Sequence, residues 1–521
     1  MNLTEAPHPA TATASPGLHH LTAIASSASE NHRFYTEVLG LRLVKKTVNF
    51  DDPHTYHLYY GDEVGSPGTI LTFFPWEDLS PGRAGAGSVT SLAFEIPEGS
   101  ASWWTAHLAR HDLRPEAEVR FGQKTLVFSD PDGLGLALVE TPASQSQPWG
   151  QGTVPALHAI RRFHSATLSY RKVGEVAQLL QGPFGLEEAG QEGARTRYAF
   201  TSEGASGYLD LVMDPSLPPG RQGTGTVHHL ALRARDDQHE RELREHLTRF
   251  HPTPVIDRQY FHSVYFREPG GVLFEIATDQ PGFSVDEPLE ALGQSLLLPP
   301  QHEALRAQLE RTLPRLDSCL TFRHRWEEAK HSTGRTLFAF HGTGGNENDL
   351  LPFVRQLDAQ SAILSPRGKV LENGMPRFFR RLREGLFDEE DLIARTDELA
   401  AFLRQAAREY PVEGKRLAIG YSNGANIAAS LLLQQPDTLD GAILLRAMLP
   451  REVASLPDLS GKTVLLLTGE SDSLIPRASS LRLLELLEEA GAEVAHHDLP
   501  TGHSLVPEDL TLSKTWLQEN A

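Results

Sequence analysis

The stretch Val227-His228-His229-Leu230-Ala231-Leu232-Arg233 is apolar and starts β-branched, which predicts a strand whose successive side chains face opposite ways. Three other openings share its pattern: Leu18-His19-His20-Leu21-Thr22, Val89-Thr90-Ser91-Leu92-Ala93 and Phe163-His164-Ser165-Ala166-Thr167. Each is followed by a helical pattern, at 29–38, 102–111, 173–181 and 236–250. Each unit then closes with strands and a glycine-marked turn, at 68–74, 133–139, 207–212 and 271–277. The pattern predicts a βαβββ unit repeated four times, an α+β arrangement spanning residues 17–282.

Past residue 281 the repeat is lost among Pro281, Pro288, Pro299 and Pro300, and 302–313 reads as an amphipathic helix with Leu305, Leu309 and Leu313 at helical spacing. From Thr336 the pattern changes to apolar strands (336–340, 416–419, 441–445, 463–467, 493–497) alternating with helices, clearest at 390–409 and 478–490. That alternation predicts a mostly parallel sheet covered on both faces, an α/β domain. The expected division is a disordered Ala/Thr/Pro/Ser tail at 1–16, two units of two modules each at 17–145 and 157–282, a tail and linker at 283–321, and the α/β domain at 322–521.

Composition narrows the partners. A net charge of −20 argues against nucleic acid and anionic membranes, and no apolar run approaches a bilayer span. The N-terminal segment lacks the basic start and apolar middle of a secretory signal. Cys319 is the single cysteine, so no internal disulfide forms; it reads as a packing residue, and a cytoplasmic protein is the simple reading.

Candidate chemistry emerges when equivalent slots of the repeat are compared. The second residue of each opening pair is His20, Ser91, Ser165 and His229; the late-strand slot holds Thr72, Ala137, Leu211 (register uncertain by one) and Glu275. Only modules 1 and 4 hold ligand-type residues. His20, His229 and Glu275 together make two imidazoles and one carboxylate, a set that leaves coordination positions open and suits a non-haem Fe(II) binding both substrate and O₂. His57, His164 and His262 read as core or surface histidines without a partner.

The βαβββ repeat resembles the vicinal-oxygen-chelate (glyoxalase-like) superfamily, and within it the hydroquinone ring-cleaving dioxygenases, including chlorohydroquinone 1,2-dioxygenases. The residues that carry the resemblance are Leu18-His19-His20-Leu21-Thr22, Tyr56-His57-Leu58-Tyr59-Tyr60-Gly61-Asp62, Val227-His228-His229, Arg258, Tyr265 and Phe274-Glu275. It implies Fe(II) at His20, His229 and Glu275, with Mn(II) as an alternative ion and no organic cofactor. It implies a substrate and acid–base site lined by His19, Thr22, His228, Arg258 and Tyr265, with an aromatic substrate and O₂ as partners. Self-association into a homo-oligomer is left open. Two further readings stand beside it: a glyoxalase-like metal isomerase, which wants a fourth protein ligand that Thr72 does not offer, and a metal-free ligand-binding module.

The second half carries Gly420-Tyr421-Ser422-Asn423-Gly424 between a strand and a helix, the G-x-S-x-G nucleophile elbow in its context. Asp472 and His503 follow on loops at strand ends, in the chain order an α/β-hydrolase uses. His341-Gly342-Thr343-Gly344-Gly345-Asn346 lacks the Lys-Ser/Thr of a phosphate loop, and the backbone amides of Thr343 and Asn423 are the expected oxyanion donors. This half resembles the small phospholipase/carboxylesterase family, which implies a carboxyl-ester or related acyl substrate. The whole reads as a bifunctional dioxygenase–esterase.

Overall fold

The computed structural model describes residues 14–77, 79–142, 148–202, 205–318, 320–383, 385–453 and 455–520. Cys319 and residues 1–13 of the expected tail lie outside them, whereas Ser15 is buried and its hydroxyl donates to Arg233 O at 2.8 Å. The chain divides into two compact units, residues 1–317 and 318–521.

In the first unit, module 1 comprises β1 (Leu18–Ala25), α1 (Ala28–Arg33), β2 (Arg42–Val48), β3 (Tyr56–Gly61) and β4 (Ile70–Pro75). Module 2 comprises β5 (Ser88–Pro97), α2 (Ala101–Ala109), β6 (Glu116–Arg120), β7 (Gln123–Ser129) and β8 (Gly135–Thr141). Module 3 has β9 (Phe163–Tyr170), α3 (Gly174–Gln181), β10 (Leu186–Glu192), β11 (Arg195–Phe200) and β12 (Tyr208–Met213). Module 4 has β13 (Val227–Ala234), α4 (Asp237–His246), β14 (Ile256–Asp257), β15 (Phe261–Arg267) and β16 (Leu273–Pro281). Ser27 caps α1 by accepting from Glu30 N, and Asp236 caps α4 by accepting from His239 N.

The modules pair in a nested order. Modules 1 and 4 share one curled eight-stranded sheet, β14-β15-β16-β13-β1-β4-β3-β2, and modules 2 and 3 share the other, β10-β11-β12-β9-β5-β8-β7-β6. The chain-order division at 17–145 and 157–282 is therefore not the division between the sheets. At the centre of the first sheet, β1 and β13 run antiparallel and each has its own module's last strand as a parallel neighbour. Alternate positions go opposite ways: Leu21 and Leu230 enter the apolar core with Tyr35 and Leu243, which leaves His20 and His229 on the concave side.

The segment after β16 ties the two free edges of that sheet together. Asp286 accepts from Lys45 on β2 at 2.8 Å, and from Gln259 and Tyr260, just past β14, at 2.7 and 3.0 Å. Glu287 accepts the same Lys45 ammonium at 2.9 Å, so a fully buried cation is doubly neutralised. The helix expected at 302–313 is a 3₁₀ turn, Pro300–Leu305, followed by α5 (Arg306–Thr312).

One buried carboxyl in this unit stands alone. Glu240 on α4 is 1% exposed, and neither of its oxygens has a hydrogen-bond partner among the described residues. Burial pushes its pKa up to about 7. The folded chain then holds a proton that the unfolded chain releases above its ordinary carboxyl pKa, so this stabilising contribution is lost as pH rises toward 7. Glu240→Gln, which keeps the shape without the charge, is expected to raise the unfolding temperature at pH 8 and to leave it unchanged at pH 4. Equal gains at both values would refute this.

The second unit is a seven-stranded sheet. Its first members are β17 (His324–Glu327), β18 (Arg335–Phe340), α6 (Leu351–Leu357) and β19 (Ala362–Pro366). Two short hairpins follow, β20 (Val370–Glu372) with β21 (Met375–Arg377), and β22 (Arg381–Arg383) with β23 (Leu386–Phe387). Then come α7 (Glu389–Glu409), β24 (Lys415–Tyr421), α8 (Asn423–Gln434), β25 (Gly441–Leu445), β26 (Thr463–Gly469), α9 (Arg477–Glu489), β27 (Glu493–Leu499) and α10 (Pro507–Asn520). The sheet order is β17-β19-β18-β24-β25-β26-β27, parallel except for β17. Alternate side chains feed two cores: Phe338 and Phe340 one, Leu337 and Ala339 the other. Burial on both faces is why these strands read as unbroken apolar runs. No described helix is long and apolar enough to cross a membrane.

Candidate active sites

The register of the first sheet assembles the first site. Ala231 pairs with Glu275 and Thr22 with Thr72, so the late-strand slot lies two residues beyond His229 and His20 respectively. His20 Nε2 and His229 Nε2 stand 3.3 Å apart, and each faces Glu275 Oε2, at 3.1 and 2.9 Å. All three side chains are buried, and they form the one group of metal-ligating type found among the described residues. Ser263 Oγ donates to the other carboxylate oxygen, Oε1, at 2.5 Å.

The hydrogen bonds behind the triangle decide what it presents. His19 Nε2–H donates to the Thr278 carbonyl at 3.1 Å, so its Nδ1 is an acceptor for the His20 Nδ1–H 2.9 Å away. His20 Nε2 is then a bare lone pair. The His229–His228 contact, Nδ1 to Nδ1 at 2.8 Å, repeats the arrangement across the sheet. Burial lowers the pKa of His229, and pushes those of His19 and His228 down to about 3, keeping these rings neutral. Three acceptors face one another, and Glu275 Oε2 has no hydrogen-bond partner among the described residues. A small cation fits: cis donors at metal–ligand bonds of about 2.1 Å stand about 3 Å apart, the spacing seen here.

The triangle opens on a cavity of about 430 Å³, the size of a small-molecule site. His20 and His229 line it together with His228, Arg258 and Tyr265. His228 sits edge-on to Phe74 and Trp76, and the Arg258 guanidinium lies 5.3 Å from the Tyr265 ring centre. His19 and Thr22 are not in that wall. His19 stands behind His20, and Thr22 Oγ1 bonds Thr72 Oγ1 at 2.8 Å. Their effect on the cavity is indirect.

Three expectations need correction. His57 is not an unpartnered histidine: it lines the cavity, with Nε2 on Thr72 Oγ1 and Nδ1 on Tyr59 OH, both at 2.8 Å. His262, also expected to lack a partner, bonds Asp237 at 2.7 Å. In module 3 the late-strand slot is Asp210, not Leu211, because Thr167 pairs with Asp210. The second sheet thus has a carboxylate in the equivalent place, but Arg197 holds it by two hydrogen bonds of 2.8 and 2.9 Å and Arg195 adds a third. His164 beside it faces Gln123 and Ser165. A carboxylate neutralised by two guanidiniums, with serines where histidines would be needed, makes no cation site.

The second unit builds its site at strand ends. Ser422 leaves β24 at φ 54° and ψ −113°, conformations that an L residue holds only under constraint. The turn needs glycine on both sides: a Cβ on Gly420 would stand 2.4 Å from Gly424 O, and one on Gly424 2.0 Å from Phe340 O. His503 Nε2 lies 2.9 Å from Ser422 Oγ and its Nδ1 2.8 Å from Asp472 Oδ2. The other Asp472 oxygen accepts from the backbone amides of Leu474 and Ile475. Asn423 is the first residue of α8, so its amide is among the donors that helix geometry leaves without an intrahelical acceptor. Thr343 is exposed on the loop after β18, whose Gly342 packs against the Tyr421 ring.

Comparison with known proteins agrees with both halves. The profile of the Glyoxalase/Bleomycin resistance protein/Dioxygenase superfamily matches residues 17–138, and that of the Phospholipase/Carboxylesterase family residues 321–521. A putative ring-cleaving dioxygenase of Bacillus subtilis, MhqO, is 44% identical over 302 residues, covering 57% of this chain and 95% of its own. The chlorohydroquinone/hydroquinone 1,2-dioxygenase of Sphingobium indicum is 38% identical over 307 residues, covering 57% and 95%. A putative hydrolase of B. subtilis, MhqD, is 44% identical over 191 residues, covering 36% and 96%.

Proposed function

The chain belongs to the glyoxalase/bleomycin resistance protein/dioxygenase superfamily in its first part and to the phospholipase/carboxylesterase family in its last, and we propose that it joins an Fe(II)-dependent ring-cleaving dioxygenase for hydroquinone-type aromatics to a serine carboxylesterase. The triangle of bare donors opening on an aromatic-walled cavity carries the first assignment. Fe(II) held by His20, His229 and Glu275 would acidify a bound ring hydroxyl and activate O₂, with Mn(II) as the alternative ion. His228 lines the cavity as a neutral ring whose Nδ1 accepts from His229, so its remaining N–H is placed to donate a hydrogen bond to a bound ring oxygen. Burial and the Glu275 charge raise the Tyr265 pKa, so that hydroxyl keeps its proton and donates. Arg258 supplies a fixed cation for an anionic intermediate.

Anaerobic reconstitution with Fe(II), followed by oxygen uptake against a panel of hydroquinones and catechols, tests the reading. Uptake stoichiometric with hydroquinone is expected; a metal-loaded chain that consumes no O₂ with any of them overturns it. The glyoxalase-like alternative wants a fourth ligand, and Thr72 Oγ1 is already engaged with Thr22 and His57. A metal-free module would have no use for three converging acceptors.

In the second half, His503 would take the Ser422 proton, Asp472 would hold the imidazole tautomer, and the amides of Thr343 and Asn423 would receive the oxyanion. Covalent fusion motivates one further link: the esterase either frees a hydroquinone from an ester or hydrolyses an acyl or lactone product of ring opening. Product mixtures from hydroquinone that are identical with and without Ser422 would eliminate the second route.

A further inference from the structure

We infer that Arg446 is the positioning residue of the hydrolase site, holding the His503 loop at the height of Ser422; this rests on the proposed Ser422–His503–Asp472 hydrolase. Arg446 follows β25 at φ 57°, and its side chain is fully buried. Neither feature favours the fold. A left-handed arginine costs roughly 1 kcal/mol or more, and a buried ion pair seldom repays its desolvation. What the construction achieves is visible in where its donors end.

Nε donates to Gly502 O at 3.1 Å and Nη2 to Ser504 O at 3.0 Å, the carbonyls on either side of His503. The His503 carbonyl itself accepts from Tyr421 OH at 3.1 Å, and Tyr421 immediately precedes the nucleophile. Three consecutive carbonyls are therefore gripped from the strand side. The guanidinium is fixed in turn by Asp509, with Nη1 and Nη2 each 2.8 Å from a carboxylate oxygen. Asp509 sits in the first turn of α10 and also accepts from Val506 N, which closes the end of the same loop. The backbone of Leu445 and Arg446 adds the other two triad carriers. The Arg446 amide donates to Leu467 O on β26, the strand leading to Asp472, and Ser422 N donates to the adjacent Leu445 O. Arg446 thus touches the segments that deliver the histidine and the aspartate, and its neighbour Leu445 the segment that delivers the nucleophile. Only a planar fork can hold carbonyls on both sides of a histidine and a carboxylate together.

Arg446→Lys keeps a cation beside Asp509 but loses the fork. In the full chain, fluorophosphonate labelling of Ser422 and kcat for p-nitrophenyl acetate are expected to fall about 10- to 100-fold, with KM within about twofold. The labelling end point should stay at one per chain, which shows that the unit is folded. The downfield proton resonance of the His503–Asp472 hydrogen bond, identified by its absence in His503→Gln, should broaden away. The double variant Arg446→Met, Asp509→Leu removes both buried charges together, avoids an unpaired ion, and should show the same rate loss. Wild-type labelling rates and an intact resonance in either variant overturn the inference while leaving the hydrolase reading standing. A wild-type chain that Ser422→Ala shows to be unlabelled at this serine overturns both.

Discussion

Glu275→Gln is expected to abolish metal retention and to lower oxygen uptake with hydroquinone by roughly 10³-fold or more, while ester hydrolysis is unchanged. The carboxylate is the only anion of the donor triangle, and losing its charge costs several kcal/mol at about 1.4 kcal/mol per decade of rate. The metal-free variant should be at least as stable as the metal-free parent. A glutamine Nε2 in place of Oε2 would donate to His20 or His229, whose Nε2 atoms now face only acceptors at 2.9 to 3.3 Å, and Oε1 would keep its hydrogen bond from Ser263. Metal content by elemental analysis, an oxygen electrode and a thermal melt test the three parts. A variant that still holds iron stoichiometrically would remove Glu275 from the ligand set.

Ser422→Ala should remove ester hydrolysis by about 10³- to 10⁶-fold, with ring opening untouched, because the nucleophile and its base act as a unit. Alanine must still adopt the φ 54°, ψ −113° backbone that glycine accepts without strain. Ser422→Gly is therefore expected to be equally inactive but about 1 kcal/mol more stable than Ser422→Ala. Hydrolysis of p-nitrophenyl acetate and denaturant titration of the two variants measure both effects. Residual activity within tenfold of the parent would place the nucleophile elsewhere.

Much of this architecture is legible in the sequence. The histidine pairs at 19–20 and 228–229 stand out because the repeat offers serine in the same slot twice, so the comparison carries its own control. Ser422, Asp472 and His503 were legible because the elbow imposes glycines and the loops fall at strand ends. What escaped did so for physical reasons. Asp210 was displaced by one residue because no local signal fixes strand register, and a slip of one swaps faces. His57 reads as an ordinary strand residue; only the curl of the sheet brings it, with Tyr59, to the cavity. Arg446 follows an apolar strand, and its partners lie 56 to 63 residues further on, beyond any local spacing. The strands β20 to β23 are two or three residues long, too short to show a period.

The nested pairing of the four modules sets an order of events during synthesis. Once the ribosome has added Met213, every strand of the inner sheet exists and can close on itself. The first module, made earliest, must wait until Ala234 completes β13 before β1 gains its antiparallel partner, and until Pro281 before every strand of its sheet exists. Through that interval an edge of β1, including the histidines at 19 and 20, is open to any strand that arrives first, including one from another nascent copy. The latest-completed part of this unit is the part that would hold the ion.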